Sequence, residues 1–351
     1  MKKFFAYEFK RLLLPLCIFT AIATVLFAVC ALTTDFISFR LFPIDEFGEA
    51  FDRIEYPVNS LLFIPAAILC VLCTAVPVMQ HSYRMKKRSV DLWYSLPIKR
   101  ETLLFGRTAA GLALVFIPYA VSYWIGFTII ACSENLFRLS YYVPLFFASV
   151  PLGVLLFGVN AFLYTRANTV GDGILFMLVG AFLLAMPFLY LSLNFQTDLP
   201  SALTNPTNYI TFGPLCWLFA GFDSAICGNA VSIQNPAVLY TLAAAEGVLA
   251  YFGLFFTAKE HRAENAGQLS DSFFGYRVLI PAYLFFGACC ATGGGAFQAS
   301  AAVVLVLLLI AGLVAFFAYR RSFRLKLADI LSIALPLAAG AAVAAITAAV
   351  L

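Results

Sequence analysis

The chain has 351 residues, of which 63% are hydrophobic and only 11% charged, with a net charge of +4. Soluble domains carry roughly 25% charged residues, so too few charges exist to cover a water-facing surface, and the mean hydropathy of +0.93 assigns that surface to lipid. A nucleic-acid-binding reading is excluded too, because the basic residues sit in short loops between apolar runs and form no basic domain.

Residues 1–11 come first in chain order. Phe4, Phe5 and Phe9 alternate with Lys2, Lys3, Lys10 and Arg11, the pattern of an amphipathic helix lying in the membrane interface. The apolar run 12–32 follows. It exceeds the roughly 7–15 residues of a signal-peptide core and ends without a small-x-small cleavage site, so it reads as an uncleaved first span. Further apolar runs at 58–80, 102–132, 142–164, 170–194, 237–257, 278–292, 299–319 and 330–351 bring the expected number of spans to nine. The seventh is short and runs into Gly293, Gly294 and Gly295, which suit a tight turn between antiparallel helices. The ninth is rich in Ala and Gly. The expected fold is therefore all-α and polytopic.

Orientation follows from charge. If successive spans alternate in direction, 19 of the 22 Lys and Arg fall on the side of the N-terminus, and only Arg40, Arg53 and Arg138 fall on the other. Cytoplasmic loops carry the Lys/Arg excess, so the N-terminus is expected in the cytoplasm. The outer segments differ in kind. Residues 33–57 carry Asp35, Asp45, Glu46, Glu49, Asp52 and Glu55, and residues 195–236 contain no Lys or Arg. Within the latter, 212–226 is apolar, too short to span with ease, and reads as a re-entrant or interfacial segment.

The nine Cys form no disulfide framework. Cys17, Cys30, Cys70, Cys73, Cys132, Cys289 and Cys290 lie in or at apolar runs and act as small hydrophobes. Cys216 and Cys227 share the outer segment, where they could pair. No Walker A loop, H-E-x-x-H or G-x-S-x-G motif occurs. His81 and His261 are far apart in sequence, so neither a metal site nor a catalytic constellation is expected.

The inner loop Tyr83–Arg107 is longer than a turn requires. Val90, Leu92, Trp93 and Leu96 give a short helix an apolar side, starting near Ser89 and ending by Pro97. Such a helix suits docking into a groove on a soluble partner; the plainer reading is a solvated positive-inside loop with an interfacial helix. The stretch Tyr94-Ser-Leu-Pro-Ile-Lys-Arg-Glu-Thr-Leu103, running into a long span, resembles the loop between the second and third spans of type-two ABC exporter permeases. The segment Lys259-Glu-His-Arg-Ala-Glu-Asn-Ala-Gly267 resembles an R-x-x-E-x-A-G stretch in a Gram-positive branch of that family. The N-terminal interfacial helix and the large outer segment between spans five and six look like the family as well.

The resemblance covers roughly residues 1–270 in organisation and implies a layout. Residues 1–11 would be the interfacial helix. Residues 12–257 would be a six-span permease core, with a coupling loop at 81–101 and the outer segment at 195–236. Residues 258–277 would be a cytoplasmic linker and 278–351 three additional spans, beyond the family's usual six. Asp91, Leu92, Tyr94, Leu96 and Pro97 would form or end a coupling helix, flanked by Arg84, Lys86, Lys87, Lys99 and Arg100. Glu260, Arg262, Glu264 and Gly267 would give a second cytoplasmic contact. The chain would bind no cofactor itself. ATP and Mg would be held by a partner ABC ATPase, with a second permease subunit alongside, in a bacterial plasma membrane. Lipids, hydrophobic drugs and antimicrobial peptides all suit such apolar spans as substrate.

Glu246 is the acidic residue that sits well inside a span. A mid-membrane carboxylate is costly and marks a functional site by default. It would serve a helix–helix hydrogen bond, line the substrate path, or couple protons or ions in a secondary transporter. That transporter, and a non-transporting scaffold or sensor, are the rival readings. Asp172 reads as a helix N-terminal charge. Trp124, Tyr141, Tyr142, Trp217 and Tyr319 read as interfacial aromatic belts.

Overall fold

The structure is a computed structural model and describes residues 2–33, 63–95, 97–132, 139–194, 213–214, 217–219, 221–222, 236–258, 263–268, 270, 275–292 and 299–350. The apolar runs become helices because lipid offers backbone N–H and C=O groups no partner, and a helix pairs them within the segment. In chain order they are α1 (Lys2–Thr33), α2 (Ile64–His81), α3 (Lys87–Tyr94), α4 (Arg100–Cys132), α5 (Leu139–Thr165), α6 (Val170–Asn194), α7 (Pro236–Phe256), α8 (Tyr276–Thr292), α9 (Ala299–Arg320) and α10 (Leu327–Val350). No strand occurs among the described residues. Among the described residues seven helices are long and apolar enough to cross a membrane, and shorter apolar stretches at Tyr240–Phe256 and Tyr276–Ala291 lie in α7 and α8. The chain is an all-helical, multi-pass membrane protein.

Helix α1 is continuous from Lys2 to Thr33, so no break separates residues 2–11 from the span behind them. Pro15 deprives the Arg11 carbonyl of its helical partner, yet the helix runs through it.

Two apolar cores share α5. On one side Leu152, Leu156 and Phe157 pack with α1, α2, α4 and α7. On the other Val159, Leu163 and Tyr164 pack with α6, α8, α9 and α10. Helix α6 packs on both α5 and α8, so it joins the C-terminal helices to the rest. Close approach depends on small residues, as in other membrane bundles. Phe27 of α1 fills a notch at Gly126 of α4, where a Cβ would come within 2.1 Å of its ring. Gly340 of α10 lies against α8 so closely that a Cβ would meet the Phe285 carbonyl at 2.4 Å.

Contacts across the termini bring many helix ends to one side. Tyr7 at the start of α1 faces Trp93 of α3. The Arg166 guanidinium, just past α5, donates to the Thr257 hydroxyl just past α7. Tyr276 at the start of α8 donates to Asp172 at the start of α6. Arg321, just past α9, lies 4.0 Å from the same carboxylate. Arg320 forms a two-pronged pair with Asp329 (2.7 and 3.1 Å), which also accepts the Lys326 N–H and so closes the α9–α10 turn. The described Lys and Arg side chains cluster at this basic end.

Gly340→Val should cost about 1–3 kcal/mol through overpacking, read as a lower melting temperature in detergent. Gly171→Ala, where a Cβ meets nothing within 4 Å, should melt unchanged or slightly higher. Wild-type melting of Gly340→Val would contradict the α8–α10 contact.

Candidate functional site

At the basic end α2 passes through a 3-10 turn, Ser82–Arg84, into extended Lys86 and then α3. Helix α3 begins at Lys87, two residues before the expected start, because the Lys86 carbonyl accepts the N–H groups of both Ser89 and Val90 at 2.9 Å. It ends at Tyr94, where Ser95 returns its N–H to Asp91 and its hydroxyl to Leu92. Val90 and Trp93, one turn apart, are buried with Tyr83 and Leu103.

The centre of this region is a residue that the motif-based reading passes over. Arg107 of α4 is 1% exposed. Its guanidinium carbon lies 4.0 Å from the Tyr83 ring centroid and 4.1 Å from that of Trp93. Its Nη1 donates to the Gln80 carbonyl at 3.0 Å. Arg11 of α1 lies 5.6 Å from the Trp93 centroid. A desolvated cation–π contact is worth about 2 kcal/mol or more. One stack therefore ties α1, α2, α3 and α4 together. The available signal was an Arg inside an apolar run, which lipid penalises unless it is partnered.

The site residues named from sequence divide by exposure. Lys86, Lys87, Asp91, Leu92, Pro97, Lys99 and Arg100 are exposed, and Tyr94 is half-buried beneath the Arg100 guanidinium at 4.6 Å. Arg84 is a correction: it is 3% exposed, because the turn carries Tyr83, Arg84 and Met85 inward together. It does not flank α3 outwardly. Leu92 is the second correction. At about 100° per residue it points away from Val90 and Trp93, and it stands 65% exposed. Leu96 lies outside the described residues. The outward face of α3 is thus Lys87, Arg88, Asp91 and Leu92.

The linker reaches this face. Gly267 takes φ +75, donates its N–H to the Asn168 carbonyl at 2.8 Å, and sits where a Cβ would meet Lys87 Cε at 3.9 Å. Glu264 is exposed in the preceding turn, while Glu260 and Arg262 lie outside the described residues. Behind the linker, Ser270 donates to Asp172 at 2.6 Å, Tyr276 donates to it at 2.8 Å, and the Asn168 N–H bonds the Ser270 hydroxyl. Asp172 is therefore a node between α6, the linker and α8. Its own N–H bonds Thr169 Oγ1, a helix cap that Thr169-Val-Gly-Asp172 signals. The residues bonded to its carboxylate lie about a hundred positions away, which the sequence does not signal.

Glu246, half-buried in α7, accepts a hydrogen bond from the Trp217 indole N–H at 3.1 Å. Trp217, Leu218 and Phe222 of the outer segment are buried in the first core, so these residues insert among the helices. Trp217 is 1% exposed and Tyr319 4%, which removes both from the aromatic belts. Trp217 bonds its N–H to Glu246, and Tyr319 packs against Tyr276 and Phe316. Cys73 donates to the Gly153 carbonyl between α2 and α5. Cys216 and Cys227 lie outside the described residues. No cluster of three metal-ligating side chains occurs among the described residues. No family, curated protein or solved structure matches the chain.

Arg107→Leu should free α3 from α4 and speed trypsin cleavage after Lys86, Lys87 or Arg88 about tenfold, which corresponds to about 1.4 kcal/mol. Arg107→Lys, which keeps charge but loses the planar stack, should fall between. Cleavage at the wild-type rate in Arg107→Leu would show that the stack does not hold α3.

Proposed function

We propose that this chain is the membrane permease subunit of a bacterial ABC exporter, driven by a separate ATPase that docks on α3. The carrying observation is the division of labour on α3. Val90 and Trp93 are buried against the spans, while Leu92 projects outward among Lys87, Arg88 and Asp91. An exposed Leu ringed by charge suits a small docking contact. The Lys/Arg excess at the basic end supports a cytoplasmic N-terminus and nine alternating spans.

Mechanically, closure of two ATPase subunits on ATP would push α3. The Trp93–Arg107 stack carries that push into α4, and the Trp93–Arg11 contact carries it into α1. A rigid-body shift of these helices against the rest is the kind of motion that alternates access. ATP and Mg belong to the partner. The substrate path would form between this chain and a second permease subunit.

The Trp217–Glu246 bond gives the intramembrane carboxylate a structural partner and weighs against an ion-coupled transporter. Glu246→Gln keeps an acceptor for the indole and removes the titrating group, so transport in vesicles should persist within about twofold. Loss of transport with normal folding would favour ion coupling.

The docking test is capture of tagged full-length protein in mild detergent, with an ATPase assay on the captured complex. Wild type should bring down an ATPase, and Leu92→Asp with Leu96→Asp should lose it while melting as wild type. An ATPase held equally by both, or absent from both with the protein folded, would overturn the reading.

A further inference from the structure

Away from α3, helices α6, α8 and α9 border a cavity of about 390 Å3. Leu175 and Val179 of α6, Leu279 and Ile280 of α8, and Gly312 and Ala315 of α9 supply apolar walls. Ala311, Val314 and Ala318 also line it and are exposed, so it opens on the outer surface of the bundle. An apolar cavity of about 150 Å3 takes benzene, so this volume accommodates a longer hydrocarbon.

The groove ends at the basic end of the molecule. Tyr276 and Ala318 line it there. The Ala318 carbonyl accepts the Arg321 N–H at 3.3 Å, which places Arg321 at the mouth. Two features make Arg321 unusual. Its φ of +50 is the left-handed conformation that glycine adopts freely and a bulky side chain resists; no other non-glycine residue among those described adopts it. Its side chain is also 54% exposed, with a 4.0 Å ion pair to Asp172. That carboxylate already accepts hydrogen bonds from Ser270 and Tyr276, so it does not depend on Arg321. The neighbouring Arg320 is committed to Asp329. Arg324, three residues on in the same turn between α9 and α10, is exposed as well. An apolar slot that ends in an exposed guanidinium complements a molecule with a hydrocarbon tail and an anionic head.

We propose that this groove binds an anionic phospholipid from the leaflet at the basic end. One acyl chain lies between α6, α8 and α9, and the phosphate headgroup meets Arg321. The site is independent of the α3 docking face.

Native mass spectrometry of the detergent-purified protein, titrated with phosphatidylglycerol or phosphatidylcholine of the same acyl chains, tests this. Wild type should retain phosphatidylglycerol at least tenfold more tightly. Arg321→Gly relieves the backbone and removes the cation. It should melt unchanged or higher without lipid, and hold phosphatidylglycerol no better than phosphatidylcholine. Ala315→Phe, which fills the groove, should reduce both. Equal affinity of wild type for the two lipids, or a phosphatidylglycerol preference that survives Arg321→Gly, would overturn the proposal.

Discussion

A guanidinium set against two aromatic rings connects the membrane-embedded helices to the short helix α3 at their basic end. Arg107 cannot stay inside the bundle without partners, since lipid gives an unpaired cation no solvation. Tyr83, Trp93 and the Gln80 carbonyl supply them. These partners come from the end of α2, the turn after it and α3, so satisfying one charge fixes where α3 must lie. With Trp93 committed inward, the helix period sends Leu92 outward. The exposed face of α3 is thus a consequence of the buried contact.

The rest of the molecule has a different balance at its two ends. Within the spans, packing is by small residues and aromatic fillers, as where Phe27 enters the notch at Gly126 and where α10 lies on Phe285 through Gly340. At the basic end polar bonds dominate: Asp172 with Ser270 and Tyr276, Arg320 with Asp329, Gly267 with Asn168. The first and last of these join the linker to α6 and α8, and Gly267 lies beside Lys87 of α3. Movement at α3 therefore meets both the α1–α4 side and the linker. That coupling is what the proposed ATPase drive would use.

Much of the fold was legible because hydropathy acts over about 20 residues and needs no knowledge of partners. The positions of α2, α4, α5, α6 and α9 follow from their apolar runs. Helix α3 was legible from Val90 and Trp93 at helical spacing between charges. What sequence did not reveal depends on contacts between distant segments. Arg107 and Gln80 lie 27 residues apart, Trp217 and Glu246 29, Asp172 and Ser270 98. No local pattern pairs them. Composition alone sets Leu92 with the apolar side, whereas its angle around the helix sets it opposite. Charge alone sets Arg84 at the surface, whereas a 3-10 turn carries it inward.

The most direct test of the account is photo-cross-linking in native membranes, with a photoactivatable phenylalanine analogue substituted for Leu92 or, as the buried control, for Val90. The account predicts an adduct at position 92 whose second component binds ATP, and none at position 90. No adduct at 92, or equal adducts at both positions, would contradict the claim that the outward face of α3 receives an ATPase.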